Sequence, residues 1–437
     1  MKRIVVTLGA ATAAAASLFF GGVLNGSDAD GNPAAAPRGS AGQLLDGFTS
    51  GDAAALAGQL EARVAANPLD TKALVLLGLA YQQRARESGD PAFYPRSEAH
   101  LRRALRAEPD NSLAIAGLAS LAASRHRFAE ARGLARRTLE INPYSAATWG
   151  ILGDANIETG RYRAAVSAFD RMIEIRPSAS AYARISYARE MLGRIGPAIA
   201  AMKRAVSAAA ATQEPAAWSR VQLGNLYAES GRLARAEHEY RGALAFMPDY
   251  APAFAALARV GGWQGQHEEA ARLWEQALDS QAVPEHAVGL GDALAALGRT
   301  GGAEEAYAQA EQLEAAFAEH GGQNQLETAL FDLDHDQHLA AALARARVGE
   351  RLRPSVEGEH VLAWALYKNG HCEEARTHSI RALRLGTKDW GAMLHRSLIE
   401  ECLGDRRAAR TFQTRALAVN QYALAAFGPL DVHRSAQ

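Results

Sequence analysis

Glycines at positions 160, 193, 231, 265, 298, 370 and 404 recur mostly at 33 or 34 residues, and this period limits what the chain can become. A unit of that length cannot bury its own apolar face and must stack on copies of itself. Residues 146–177, AATWGILGDANIETGRYRAAVSAFDRMIEIRP, show one unit complete. Trp149, Leu152 and Gly153 share one stripe of a first amphipathic helix, and Gly160 marks a turn. Tyr162, Ala165, Phe169 and Met172 follow at helical spacing before Pro177 closes a second helix. Neither helix is long enough to be stable alone. The period places unit starts near Thr71, Ser112, Ala146, Ala179, Ala217, Ala251, Pro284, Gln323, Val356 and Trp390. Its interruptions mark insertions: RESGDPAFYPRS in the first unit, AAAATQEPA after the fourth, and a helix running on through EQLEAAFAEH after the seventh.

Small residues keep the same place in every unit. Ala131, Ala165, Ala198, Ala236, Ala270, Ala303, Ala342, Ala375 and Ala409 lie early in the second helices, with Ser97 in the first unit. Gly78, Ala119, Gly153, Ser186, Gly224, Ala258, Gly291, Ala363 and Ser397 stand opposite them in the first helices. A larger side chain at either place forces the paired helices apart. The pattern weakens in the eighth unit, at Leu330 and Gly349. With abundant alanine and only 7% aromatic residues, the composition suits close-packed helices rather than a sheet. The expected fold is all-α, a solenoid of helix–turn–helix units.

The unit resembles a tetratricopeptide repeat, whose pattern is W-x2-L-G-x2-Y, then A-x3-F, then A-x4-P. Asn156 departs from it, standing where an aromatic is usual. The resemblance covers about ten repeats over residues 71–420 and implies a right-handed superhelix whose first helices line a concave groove. By that resemblance Tyr187, Trp218, Asn225, Arg259, Trp263, Phe331, Trp364, Tyr367 and Lys368 face the groove, whereas Trp149 and Trp274 take core positions. Aromatics and arginine are frequent interface anchors. The implied function is therefore a non-enzymatic scaffold holding a protein or extended peptide, with the strip from Tyr187 to Trp263 central. The alternative is that insertions, or the extended helix after the seventh repeat, cover some of these aromatics. A clamp for a peptide's terminal carboxylate is not expected. Asn225 matches such a site, but Val221, Ala256, Glu285 and Gly289 replace its other residues. The C-terminal third, LAWALYKNGHCEEARTHSIRALRLGT and onward, also resembles exported actinobacterial repeat proteins.

The start, MKRIVVTLGAATAAAASLFFGGVL, joins two basic residues to an apolar run from Ile4 to Leu24. Residues 1–24 therefore read as a signal peptide or an N-terminal anchor, and the protein as extracytoplasmic. Residues 25–41 are expected to be a disordered linker, and 42–70 a degenerate half-repeat that caps the array. Residues 421–437 are expected to begin a capping helix and then fray. The two cysteines, Cys372 and Cys402, lie on adjacent antiparallel helices of repeats nine and ten. A disulfide is within reach there and would suit an oxidising compartment; two separate buried thiols are the alternative.

The net charge of −1 gives no ground for nucleic acid or an anionic membrane as a partner. It conceals an asymmetry: residues 1–218 carry 25 Lys+Arg against 19 Asp+Glu, and residues 219–437 carry 22 against 29. The densest polar cluster is Asp332, Asp334, His335, Asp336 and His338, which raises a second reading, an extracytoplasmic metal-handling protein. A helix-capping turn is the simpler reading of those residues. A third reading is an accessory arm of an enzyme. No phosphate loop, nucleophile elbow, H-E-x-x-H or dinucleotide fingerprint is present, and no cofactor is expected.

Overall fold

The computed structural model describes residues 53–209 and 213–427. The expected signal or anchor and the linker lie outside the described residues, as do residues 428–437 of the tail. Among the described residues the chain forms 22 α-helices and no strand. Helix α1 (Ala53–Ala66) stands single at the front, in the place expected for the half-repeat. Ten helix pairs follow. They are α2 (Thr71–Ser88) with α3 (Phe93–Ala107), α4 (Ser112–Ser124) with α5 (Phe128–Ile141), and α6 (Ala146–Glu158) with α7 (Tyr162–Ile175). Next come α8 (Ala179–Met191) with α9 (Ile195–Ala208), α10 (Gln213–Glu229) with α11 (Leu233–Phe246), and α12 (Ala251–Trp263) with α13 (His267–Ser280). The last four pairs are α14 (Pro284–Ala296) with α15 (Thr300–Glu319), α16 (Gln325–Asp334) with α17 (Leu339–Leu352), α18 (Val356–Lys368) with α19 (Cys372–Ala382), and α20 (Trp390–Cys402) with α21 (Arg406–Val419). A short α22 (Ala423–Phe427) ends the described chain.

Local chemistry explains the regular boundaries. Asp70, Asn111, Ser145, Ser178, Ser355 and Asp389 each stand just before a first helix, and their side chains accept a hydrogen bond from a backbone N–H in its first turn. The seven periodic glycines all adopt positive φ, from 68° to 81°, which lets the chain reverse between paired helices. In repeat two His126 takes that conformation instead, at φ 57°. Two starts differ from the spacing. Repeat five begins at Gln213 rather than Ala217, because Pro215 is tolerated in a first helical turn, and repeat eight begins at Gln325.

The small positions seat aromatic rings. A Cβ added to Gly153 would lie 2.2 Å from the Phe169 ring, and one on Gly224 or Gly291 would lie 2.3 Å from Tyr240 or Tyr307. Each glycine thus admits a ring from its own second helix, and the matching alanines are at most 6% exposed. The structure joins Cys372 to Cys402 in a disulfide with a Cα–Cα distance of 6.3 Å, tying repeat nine to repeat ten.

The array winds until it touches itself. Hydrogen bonds from the tight turns inside early repeats reach the loops between late repeats at separations of 192 to 197 residues. Gln281 bonds to Arg86 O, Arg127 Nε to Gly321 O at 3.0 Å, Val356 N–H to the Tyr162 hydroxyl at 2.6 Å, Thr387 to Met191 O at 2.6 Å, and Asn420 to Ala228 O at 3.2 Å. The turns of repeats one to five therefore sit on the loops that follow repeats six to ten. The extended helix α15 takes part, since Phe317 packs on Tyr94 and His126 of the first turn. The strongest tie is Arg353, 5% exposed, whose guanidinium meets Glu158 at 2.8 Å, Glu327 at 2.5 Å and Glu357 at 3.1 Å.

Candidate functional site in the superhelix interior

First helices face the superhelix axis, but successive turns leave much of that axis filled. Trp263 is 5% exposed and packs edge-on against Trp390 of repeat ten, with centroids 5.8 Å apart. Trp364 is 3% exposed and stacks on His395 at 3.7 Å, its indole N–H bonded to Asp334 at 2.9 Å. Tyr367 stacks on Trp364 at 5.2 Å, and Phe427 of α22 closes on the same cluster. This corrects the expectation of an open wall of tryptophans: Trp263 and Trp364 are core residues. Trp218 is half-buried, and its indole N–H finds no hydrogen-bond partner. Arg259 donates to the Asn225 carbonyl oxygen at 2.8 Å and lies over Trp263 at 5.9 Å. Phe331 belongs to a separate group with Tyr307 and His335, and Lys368 pairs with Asp336 at 2.6 Å.

The Asp/His cluster of repeat eight does not converge. Asp332 pairs with Arg345, Asp334 accepts from Trp364, His335 meets Asp292 at 3.0 Å, and Asp336 pairs with Lys368. Among the described residues no group of three or more His, Cys, Asp or Glu side chains is placed to hold a metal. The metal-handling reading loses its site, because each carboxylate already satisfies a different neighbour.

Among the described residues a cavity of about 170 Å³ lies between the two turns. Repeats three to five contribute Glu158, Tyr187, Glu190, Asn225 and Glu229; repeats nine and ten contribute Glu357, His360, Asp389 and Trp390. Two of the expected groove residues, Tyr187 and Asn225, thus come together here. The carboxylates, drawn from distant repeats, could not be grouped from spacing alone. Arg353 neutralises Glu158, and Asp389 caps α20. Glu229 accepts from Trp390 Nε1 at 2.7 Å through one oxygen, while its Oε1 is buried without a partner. Oε1 of Glu357 is in the same state. Burial, reinforced by Glu229 and Asp389, pushes the Glu190 carboxyl up to about 8. A cavity of this order holds a small ring, about 150 Å³, so it accepts one side chain rather than a strand.

These groups make stability depend on pH. Burial raises Asp334 to about 7 and Glu190 to about 8, above their unfolded values, so the folded state retains protons and stability falls as pH rises through those values. Burial lowers His286 to about 4 and holds His395 well below the ordinary range. Their contribution grows with pH and is complete above about 6.5. Burial pulls His335 down but its bond to Asp292 raises it overall, so between pH 6.5 and 8 the carboxyls and His335 act in the same direction, each by at most about 1.4 kcal/mol per pH unit. The urea midpoint is expected to fall across that window, and a flat or rising profile would refute this assignment.

The winding array of paired helices, with no motif for catalysis, defines an α-solenoid. Profiles of the tetratricopeptide repeat match residues 85–146, 146–178 and 255–318, so the chain carries tetratricopeptide repeats there. Solved structures of low identity share the repeat. A tetratricopeptide repeat protein from Parabacteroides merdae ATCC 43184 is 18% identical, covering 58% of this chain and 96% of its own, with a TM-score of 0.44. The protein TTC0263 from Thermus thermophilus is 21% identical, covering 41% of this chain and 92% of its own, with a TM-score of 0.36. No curated protein matches the chain. Among the described residues no helix is long and apolar enough to cross a membrane.

Proposed function

We propose that this chain is a non-enzymatic scaffold working outside the cytoplasm, whose interior cavity takes a basic side chain from an extended segment of a protein partner. The observation that carries this reading is the pair of unpartnered oxygens, Glu229 Oε1 and Glu357 Oε1, beside Glu190 in a cavity walled by Tyr187 and Trp390. A buried carboxylate without a partner is costly, and an ammonium or guanidinium group would offset that cost. The amide nitrogen of Asn225 is only 3.5 Å from Gln222 Oε1, a weak bond that leaves a donor for a peptide carbonyl. The Cys372–Cys402 disulfide supports an oxidising compartment, as do the basic start and the apolar run of residues 4–24.

The test is to titrate the full chain with peptides that differ only in a central Lys, Arg, Leu or Glu. Lys and Arg peptides are expected to bind at least tenfold more tightly than the others. That preference is expected to vanish in a Glu190→Gln, Glu229→Gln variant. Equal binding across the series would overturn the cavity assignment. Location is tested separately by alkylating native cells: Cys372 and Cys402 are expected to be unreactive until reduced, and free thiols would contradict export.

A further inference from the structure

The contact that joins the two turns is used five times within the molecule, and both of its halves recur unused at the rims. Gly89, Gly160 and Gly193, in the tight turns of repeats one, three and four, would each meet a loop carbonyl oxygen within 2.2 to 2.6 Å of an added Cβ. Gly265, Gly298, Gly370 and Gly404 hold the same turn conformation in repeats six, seven, nine and ten, with nothing within 4 Å. The loops show the same contrast. The late loops are covered, with Asn420 at 0% and Ser355 at 2% exposure. The early loops carry the two most exposed large apolar side chains of the described residues, Leu69 at 76% and Tyr144 at 70%.

We propose that the free turns of repeats six to ten in one molecule dock on the free early loops of a second copy, repeating the internal contact head to tail. The register follows from the molecule itself, where the turn of each repeat sits on the loop five repeats further on. Continued into a second copy, the turn of repeat six meets the loop at Leu69, that of repeat seven the loop at Asp110, and that of repeat eight the loop at Tyr144. Charge agrees with this register. Arg299 occupies in repeat seven the place of Arg127, which bonds to Gly321 O in the internal contact, and it would face the exposed Asp110, each exchanging or sharing its present exposed partner, Glu268 and Arg137. On the larger scale, an N-terminal half with excess positive charge meets a C-terminal half with excess negative charge. The two rims differ, so the contact is heterologous and does not close on itself; the product is an open helical filament.

The full chain, followed by sedimentation velocity and negative-stain microscopy, is expected to form species that lengthen with concentration and shorten with salt. Two variants block opposite rims at exposed positions: Leu69→Lys with Tyr144→Lys, and Arg299→Glu with His371→Glu. Each alone is expected to remain monomeric with unchanged circular dichroism, and their equimolar mixture to form a dimer that grows no further. A wild-type chain that stays monomeric at roughly 0.1 mM, where a contact with a Kd of about 1 µM would be saturated, overturns the proposal. So do assemblies that persist in both variants, or a mixture that forms no dimer.

Discussion

Replacement of Arg353 by methionine is expected to destabilise the protein by about 3–5 kcal/mol, the cost of leaving a buried charge without its partner. Arg353 is 5% exposed and Glu158 2%, and together they bridge the two superhelical turns. Methionine preserves much of the apolar stem, so the loss reports the charge rather than the packing. Without the guanidinium, burial acts on the Glu327 carboxyl without the charge that now holds it low, so it would be protonated more readily when folded than when unfolded. The deficit is then present at neutral pH and shrinks as pH falls, because a raised folded pKa stabilises on the acid side. Adding Glu158→Gln is expected to recover part of the loss. The control is Arg171→Met, which removes a pair with Glu174 that is 43% and 63% exposed; about 0.2–1 kcal/mol is expected. Denaturant midpoints measure all three, and a loss below about 1 kcal/mol at Arg353 would mean that this tie does not hold the turns together.

The second large effect separates backbone conformation from docking. Gly160 and Gly298 have φ of 69° and 74°, so alanine at either costs about 1–2 kcal/mol for its left-handed conformation. At Gly298 nothing else stands in the way. At Gly160 the added Cβ would lie 2.3 Å from the backbone oxygen of Pro354, which cannot move without lifting one turn from the other. Overpacking of that kind adds about 1–3 kcal/mol. Gly160→Ala is therefore expected to lose clearly more stability than Gly298→Ala. Equal losses would show that the turns are only loosely apposed.

Much of this fold is legible in the sequence because its signals are local. Asp70, Ser145 and Asp389 announce helix starts through the hydrogen bonds they accept, and Gly160 or Gly404 announces a turn through a conformation other residues avoid. The site is less legible. The family resemblance puts Trp263 and Trp364 on the groove wall, yet it does not reveal that Trp390 and Phe427 arrive from other repeats to bury them. The pitch of a superhelix accumulates from small rotations at every interface, and none of them is written in a single unit. The same distance hides the bond between Glu158 and Arg353, 195 residues apart, and the meeting of Glu190 with Glu357 across one cavity. Cys372 and Cys402 are legible because they lie on adjacent helices, 30 residues apart.

The self-contact at about 195 residues also has a meaning in time. An ordinary solenoid grows by local contacts, so each unit is complete soon after it is made. Here repeat three waits for Arg353, and repeat four for Thr387, before its docked partner exists. At a synthesis rate of about 5–20 residues per second, that wait is roughly 10–40 s. Throughout it Glu158 has no counter-charge, and Trp263, once made, waits roughly 6–25 s for Trp390 to cover it. The nascent first turn is therefore adhesive for tens of seconds, a period in which chaperone occupancy decides how many chains mature.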